Sequence, residues 1–443
     1  MFRDFLIQKY LLPVVFAWAL PNVVSAAPAI TRDVTLPQAL QLALEHSPVL
    51  GQERAAIQRQ LGVRIVAKAA MLPTIDGLAG YSATDAGKVE SFGPMATPLD
   101  QSWSAQLSVS YVVYNGGGRL ANLKASEASQ KAAEDQFRAA VNTVLLKVVH
   151  AYYDALLARD RITVQEEART VLGEQLETAR KRFAAGTGQQ FAVLQAEVSL
   201  ANANPPLINA RSAYKLAVER LREAAGVDYP PGLDGSGIRL TSSWPDNSEA
   251  PSLDAALESA RISRPELAAA QATIEMARQQ LVIEHARMKP QVEANAGYGL
   301  QSRSFSDDLM EDPLHGWTAG FQVRIPILDL GQSRGRRIQA EAMISASEMA
   351  ARETELRVQG EVRESWLAVE EAREILASSA LVVVQAQEAL RLARAGFDAG
   401  AGTQLEVLES RLALTQARLN ELQAKHQYHT ALASLRRAAG GQP

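Results

Sequence analysis

Two glutamates three residues apart, Glu406 and Glu409, follow Thr403 just beyond a glycine-rich turn, and His426 and His429 stand three apart further along the same stretch. Acids at that spacing share one helical face, where several copies of a chain would ring carboxylates around an opening that attracts cations. Thr403 and Glu406 also have capping-box spacing, which places an acid at a helix start. Two imidazoles alone are too few ligands for zinc, so the histidines are expected to be solvated or to bridge helices. The 443 residues contain no cysteine, which excludes disulfides, thiolate chemistry and cysteine-held metal. Gly87-Lys88 is followed by Val89 where a phosphate loop needs a hydroxyl. Asp307, Asp308, Glu311 and Asp312 read as a solvated loop tip. A net charge of −4 supplies no basic field for nucleic acid. No catalytic set assembles from these residues, so the chain is expected to be no enzyme and to carry neither cofactor nor metal.

The elements that position these residues occur twice. Pro48, Pro73 and Tyr81 recur as Pro265, Pro290 and Tyr298, each 217 positions on (265 − 48), while Trp103, Gly117, Gly186 and Gly226 recur as Trp317, Gly331, Gly400 and Gly440, each 214 on (317 − 103). The register slips once, between Tyr81 and Trp103, where a surface loop tolerates deletion. A unit of this length is no solenoid repeat; each half folds as one elaborate piece and packs beside the other.

Each copy reads as helix, strand, loop, strand, long helix, turn and return helix. The opening helices, from Val49 and from Glu266, stop at Pro73 and Pro290, which cannot extend a helical ladder. Trp103, Ala105, Leu107, Val109 and Tyr111 alternate with Ser104, Gln106, Ser108 and Ser110, and Trp317, Ala319, Phe321 and Val323 alternate with Thr318, Gly320 and Gln322. That period of two belongs to strands with one apolar and one polar face. Between Leu120 and Phe183 there is no proline, and apolar residues fall at seam spacings of three and four. Such a helix reaches about 95–100 Å at 1.5 Å per residue, and the return helices lie antiparallel to it. Asn204-Pro205-Pro206 predicts a break in the first return helix. The segment 227–251, rich in proline, glycine and serine, links the halves.

Arg3 and Lys9, the apolar run Leu11 to Leu20 and Ser25-Ala26-Ala27 have the pattern of a secretory leader over residues 1–27. No later run approaches the roughly 18 apolar residues of a membrane helix, so strands would have to enter any membrane. Aromatic residues near the strand ends and a hydroxyl-rich opposite face fit a membrane barrel. Four strands cannot close a barrel, and open edges are not tolerated in lipid, so chains must share one. Eight strands from two chains or twelve from three satisfy the count; a lumen lined by serine and glutamine favours twelve. A soluble, secreted coiled-coil scaffold or adaptor would share the seams but has no use for two such hairpins.

The mature chain resembles the TolC-type outer-membrane efflux proteins. The likeness rests on the duplicated layout, on the junctions Tyr114-Asn115-Gly116-Gly117 and Pro326-Ile327-Leu328-Asp329-Leu330-Gly331, and on the turns Arg182-Phe183-Ala184-Ala185-Gly186 and Gly396-Phe397-Asp398-Ala399-Gly400. It implies an α+β membrane protein: a homotrimer whose four strands per chain form a shared 12-stranded β-barrel in the outer membrane, with a long α-helical barrel in the periplasm. The layout is then residues 28–226 as one repeat (strands about 75–83 and 103–113, helices about 118–184 and 188–225) and 252–443 as the other (strands about 291–299 and 317–326, helices about 332–398 and 402–439). The implied work is that of an exit duct in tripartite efflux or type I secretion, with a periplasmic adaptor and a proton-driven or ABC-type inner-membrane pump as partners. Phe183, Gly186, Thr187, Gly188, Gly400, Gly402 and Thr403 would form tips that dock the adaptor. Trp103, Leu107, Val109, Tyr111, Trp317, Phe321 and Val323 would face outer-membrane lipid. Some members latch the periplasmic entrance with a tyrosine, an arginine and an aspartate. Here the matching positions are Phe397, Gly402 and Ala192, so the mouth, lined also by Glu406 and Glu409, is expected to close by packing and not by ion pairs.

Overall fold

The computed structural model describes residues 33–85, 101–227, 239–245, 250–302 and 313–442. The leader, Gly87-Lys88-Val89 and the acidic cluster from Asp307 to Asp312 lie outside these residues. In chain order the elements are β1 (Asp33–Val34), α1 (Leu36–His46), α2 (Pro48–Ala69), β2 (Thr74–Ala83), β3 (Gln101–Tyr114), α3 (Gly118–Ala184), α4 (Gln190–Asn202), α5 (Asn204–Ala225), β4 (Arg239–Leu240), α6 (Leu253–Ser263), α7 (Pro265–Ala286), β5 (Gln291–Gln301), β6 (Leu314–Arg324), α8 (Gln332–Asp398) and α9 (Gln404–Ala438).

The duplication governs this order. α3 and α8 each have 67 residues, about 100 Å of helix, and each is preceded by an antiparallel strand pair. Tyr81 faces Trp103 across β2–β3, and Tyr298 faces Trp317 across β5–β6, so the two hairpins share one register. They join side by side in a four-stranded sheet of order β2-β3-β5-β6. Both outer strands, β2 and β6, have one edge without a ladder partner among the described residues. Each copy opens with two helices where the periodicity suggested one: α1 precedes α2, and α6 precedes α7, because Pro48 and Pro265 sit at the first turn of a new helix and end the one before.

Below the sheet the helices form a layer in which the long α3 and α8 alternate with rods made of shorter pieces, α2 with α4 and α5, and α7 with α9. The first return helix is interrupted at Ala203, ahead of Asn204-Pro205-Pro206, whereas its counterpart α9 runs unbroken for 35 residues. Two cores sit at mid-height. One gathers Val148, Tyr152, Ala155 and Leu156 of α3 against Ala43, Leu50 and Leu221; the other gathers Val358, Val362 and Val369 of α8 against Ala256, Leu432 and Leu435.

The segment between the halves does more than connect. Arg239–Leu240 pairs in parallel with Asp33–Val34, Arg159 donates to the carbonyls of Leu240 and Ser242 at 2.9 and 3.1 Å, and Trp244 stacks 5.7 Å from Tyr153 and 5.4 Å from His429. It straps α3 to α9. Where α6 gives way to α7, the Arg264 guanidinium, with its side chain 2% exposed, donates to Glu266, to Glu361 and to the carbonyl of Ala438, while Arg437 reaches the same two carboxylates.

Candidate functional site

The strand register assigns every side chain of the sheet to one of two faces, since residues directly opposite share a face. Leu107, Tyr298 and Trp317 lie in one row, Tyr111, Ala294 and Phe321 in the next, and Val109, Ala296 and Ala319 between them. Trp103 beside Tyr81, and Val323 beside Val292, complete the same face. Thus Trp103, Leu107, Val109, Tyr111, Trp317, Phe321 and Val323 all project from one side. Trp317 and Phe321 are 77% and 78% exposed; among the described residues only the Arg119 guanidinium, 5.2 Å from the Tyr111 ring centre, is seen to lie over this side, and an apolar face so largely uncovered requires another apolar phase or partner. The opposite face carries Asp76, Ser82, Ser102, Ser104, Gln106, Ser108, Ser110, Asn295, Glu293, Thr318 and Gln322 in facing rows, with Ser82 and Ser102 hydrogen-bonded at 2.7 Å and Thr74 and Ser110 at 2.6 Å.

At the other end of the rods the two turns are built alike. Gly186 and Gly400 take φ +72° and +77°, the left-handed conformation that costs a side-chain-bearing residue most. In the first turn Thr187 N–H donates to Arg182 O and Gly186 N–H to Phe183 O; in the second Ala401 N–H donates to Gly396 O and Gly400 N–H to Phe397 O, the two bonds of a Schellman cap. A Cβ on Gly188 would stand 2.9 Å from Phe183 N, and one on Gly402 3.2 Å from Phe397 N, so these glycines let the returning chain press on the helix end. Thr403 and Glu406 form the capping box, each backbone N–H donating to the other's side chain at 3.3 Å. Glu406 and Glu409 are both exposed on the first turns of α9.

Phe397 and Ala192 line one groove of about 540 Å³ together with Thr187 and Gly188. The Arg182 guanidinium lies over the Phe397 ring, 5.2 Å from its centre. The two hairpin tips of the chain therefore meet through a cation–π contact, worth about 0.5–1 kcal/mol at an exposed site. Periodicity gives no access to this pairing, because Arg182 and Phe397 belong to different copies. Arg394 and Arg411 border the same groove and were equally invisible as a pair.

Midway along the rods, His426 Nε2 lies 2.7 Å from Asp154 Oδ1 and thereby joins α9 to α3. His150 Nε2 is 3.1 Å from Ser434 Oγ across the same pair of helices. The hydrogen bond from His426 holds the Asp154 carboxyl below the usual carboxylate range, whereas burial pulls His150 down. His429 is buried among Tyr153, Trp244 and Tyr428; burial, with Arg436 nearby, depresses it to about 4. His426 and His429, like His150, thus stand between α9 and α3. Among the described residues no group of three or more His, Asp or Glu side chains is placed to hold a metal, and no helix is long and apolar enough to cross a membrane.

A sheet with one uncovered aromatic face, carried on helices of about 100 Å, defines an envelope-spanning channel component. The sequence matches the outer membrane efflux protein family over residues 39–227 and 256–441, one match to each copy. The chain belongs to that family. It is 24% identical to the outer membrane protein TolC of Vibrio cholerae over 98% of this chain and 96% of that protein, and 27% identical to protein CyaE of Bordetella pertussis over 92% and 84%. The solved CmeC outer membrane channel of Campylobacter jejuni superposes with a TM-score of 0.78 at 18% identity, covering 96% of this chain and 91% of that one. The protein is an efflux channel of the Gram-negative outer membrane, and its helical part extends on the periplasmic side.

Proposed function

We propose that three copies of this chain close a single twelve-stranded barrel and work as the passive exit duct of a tripartite efflux or type I secretion system, joined by a periplasmic adaptor to an inner-membrane pump. One observation carries the reading: a four-stranded sheet whose aromatic face is largely uncovered, and whose two outer strands each have an unpaired edge, among the described residues. In lipid such edges are intolerable, and neighbours supplying the missing ladder remove them. Three sheets leave a lumen walled by the serine, glutamine and asparagine face, wide enough for water, whereas two would be filled by their own side chains.

The duct performs no bond chemistry; the wet face lowers the barrier for polar cargo and the rods carry the path across the periplasm. Phe183, Gly186, Thr187, Gly188, Gly400, Gly402 and Thr403 at the rod tips present turns to the adaptor. Phe397, Ala192, Gly402, Glu406 and Glu409 surround the entrance, with Glu406 and Glu409 supplying up to six carboxylates in a trimer. The test is conductance of the purified protein in planar bilayers together with its mobility on unheated gels. A heat-sensitive trimer that conducts ions supports the duct, and a soluble monomer without conductance overturns it.

A further inference from the structure

The joints between sheet and helices are basic in an otherwise acidic chain. The thirteen residues on the helix side of each strand, 61–73, 115–127, 278–290 and 325–337, hold ten Lys and Arg and three acids, whereas the rest of the chain has 35 against 46 (45 − 10 and 49 − 3). All lie within about 20 Å of the strand ends at 1.5 Å per helical residue. The excess of positive charge is therefore confined to one height, directly below the apolar face of the sheet.

The three acids are committed. Glu127 stands 3.8 Å from Arg64 and Glu284 2.8 Å from Arg287, while Asp329 accepts from the N–H groups of Gly331 and Ser333 in its own turn. Arg278 and Arg337 pair with Glu348 and Glu341 of α8. That leaves Lys68, Arg119, Lys124, Lys289, Arg334 and Arg336, which form no ion pair among the described residues; all but Arg119 are exposed. The strand acids Asp76 and Glu293 project from the polar face, as Arg324 does. Arg119, in contrast, lies over the Tyr111 ring at the lower margin of the apolar face. Just below β6, Ile325, Ile327 and Leu328 are exposed as well, so aliphatic surface is interleaved with the cations.

We propose that this band binds the headgroup phosphates of anionic phospholipid in the periplasmic leaflet. A leaflet ends its tails in phosphates, and the molecule ends its apolar face in a cationic margin at the same level. Long Lys and Arg stems lie along apolar surface while their charged heads reach the headgroups, and clustered cations beside a membrane surface favour anionic lipid over zwitterionic, whose own ammonium offsets the phosphate. Free phosphate has no use for the aliphatic side chains between the cations. Cargo in the lumen meets the serine face, on the other side of the sheet from Arg119.

The inference rests on placement in the outer membrane and not on the duct reading, since lipid selectivity is measured on the full-length protein whether or not it conducts. The purified protein is reconstituted in phosphatidylcholine bilayers, and the fraction of spin-labelled phosphatidylglycerol held at its surface is compared with that of spin-labelled phosphatidylcholine. Wild type is expected to prefer the anionic lipid at least about threefold, and to lose the preference in about 1 M sodium chloride. Arg334→Gln/Arg336→Gln and Lys68→Gln/Lys124→Gln are each expected to lower the preference, and all four substitutions together to bring it near parity. The two pairs lie on different helices, so either one serves should the other fail to insert. Inorganic phosphate at constant ionic strength should leave the preference unchanged. Equal association of the two lipids with wild type, an unaltered preference in the inserted variants, or displacement of the lipid by inorganic phosphate would each overturn the proposal.

Discussion

His429 has given up solvent for a place between Trp244, Tyr153 and Tyr428, and its depressed proton affinity has a consequence for stability. In the unfolded chain the imidazole accepts a proton near pH 6.5, whereas in the fold it does so only near 4. Its contribution is therefore complete above about 6.5 and drains away as pH falls toward 4. Asp154, also depressed, adds a loss below the ordinary carboxylate range. Thermal unfolding is expected several degrees lower at pH 5 than at pH 7.5, and His429→Phe, which keeps the ring but cannot be protonated, should remove most of that difference. An unchanged pH dependence in His429→Phe would exclude this residue as the cause. Arg264 offers a sharper perturbation: replacing it with alanine leaves Glu266 and Glu361 sharing only Arg437. The cost is on the order of 3 kcal/mol, at the lower end for a broken buried pair because both acids keep some water. Denaturant midpoints of wild type and variant measure it.

At the scale of elements, the tips test whether backbone geometry alone holds a turn. Nothing lies within 4 Å of a Cβ built on Gly400, so Gly400→Ala meets no clash and pays only for its φ of +77°, about 1 kcal/mol. Hydrogen exchange should show faster opening of residues 396–402 and none elsewhere. Arg182→Gln removes the contact with Phe397 that ties the two turns together; if that contact helps keep the mouth shut, mean conductance rises two- to fivefold, the equilibrium equivalent of about 0.5–1 kcal/mol.

How much of this was readable beforehand depends on the range of the interaction. Alternation through Trp103–Tyr111 and Trp317–Val323 exposes strands because a pleat has period two, and the seams of α3 and α8 follow from 3.6 residues per turn. The duplication then doubles each weak signal. What escaped was short or distant. β1 and β4 have two residues each and no periodicity to show. The split before Pro48 and Pro265 was signalled by proline at a helix start, and α1 by the capping box of Thr35 and Gln38, but a repeat landmark is easily read as only a landmark. Trp244 with Tyr153 and His429, Arg264 with Glu361 and the Ala438 carbonyl, and Arg182 with Phe397 are contacts between residues far apart in the chain, where local pattern is silent.

At the scale of the whole molecule, pseudo-symmetry sets the closure of the barrel. Within the chain the two hairpins meet through β3 and β5, with Val109 opposite Ala296. In the proposed trimer the equivalent seam between chains would join β6 of one copy to β2 of the next. Carrying Val109 forward by 214 and Ala296 back by 217 places Val323 of one copy opposite Ala79 of its neighbour, on the apolar face. Paired strand positions stand about 4.5–5.5 Å apart at Cα, within disulfide reach, and a chain without cysteine gives a clean background. Oxidation of Ala79→Cys/Val323→Cys protein in the outer membrane is expected to yield covalent trimers that survive boiling and vanish on reduction, while Ala79→Cys/Gln322→Cys, whose thiols point to opposite faces, yields none. Monomers alone from the first pair, or cross-linking only in the second, would contradict a barrel closed by neighbouring copies.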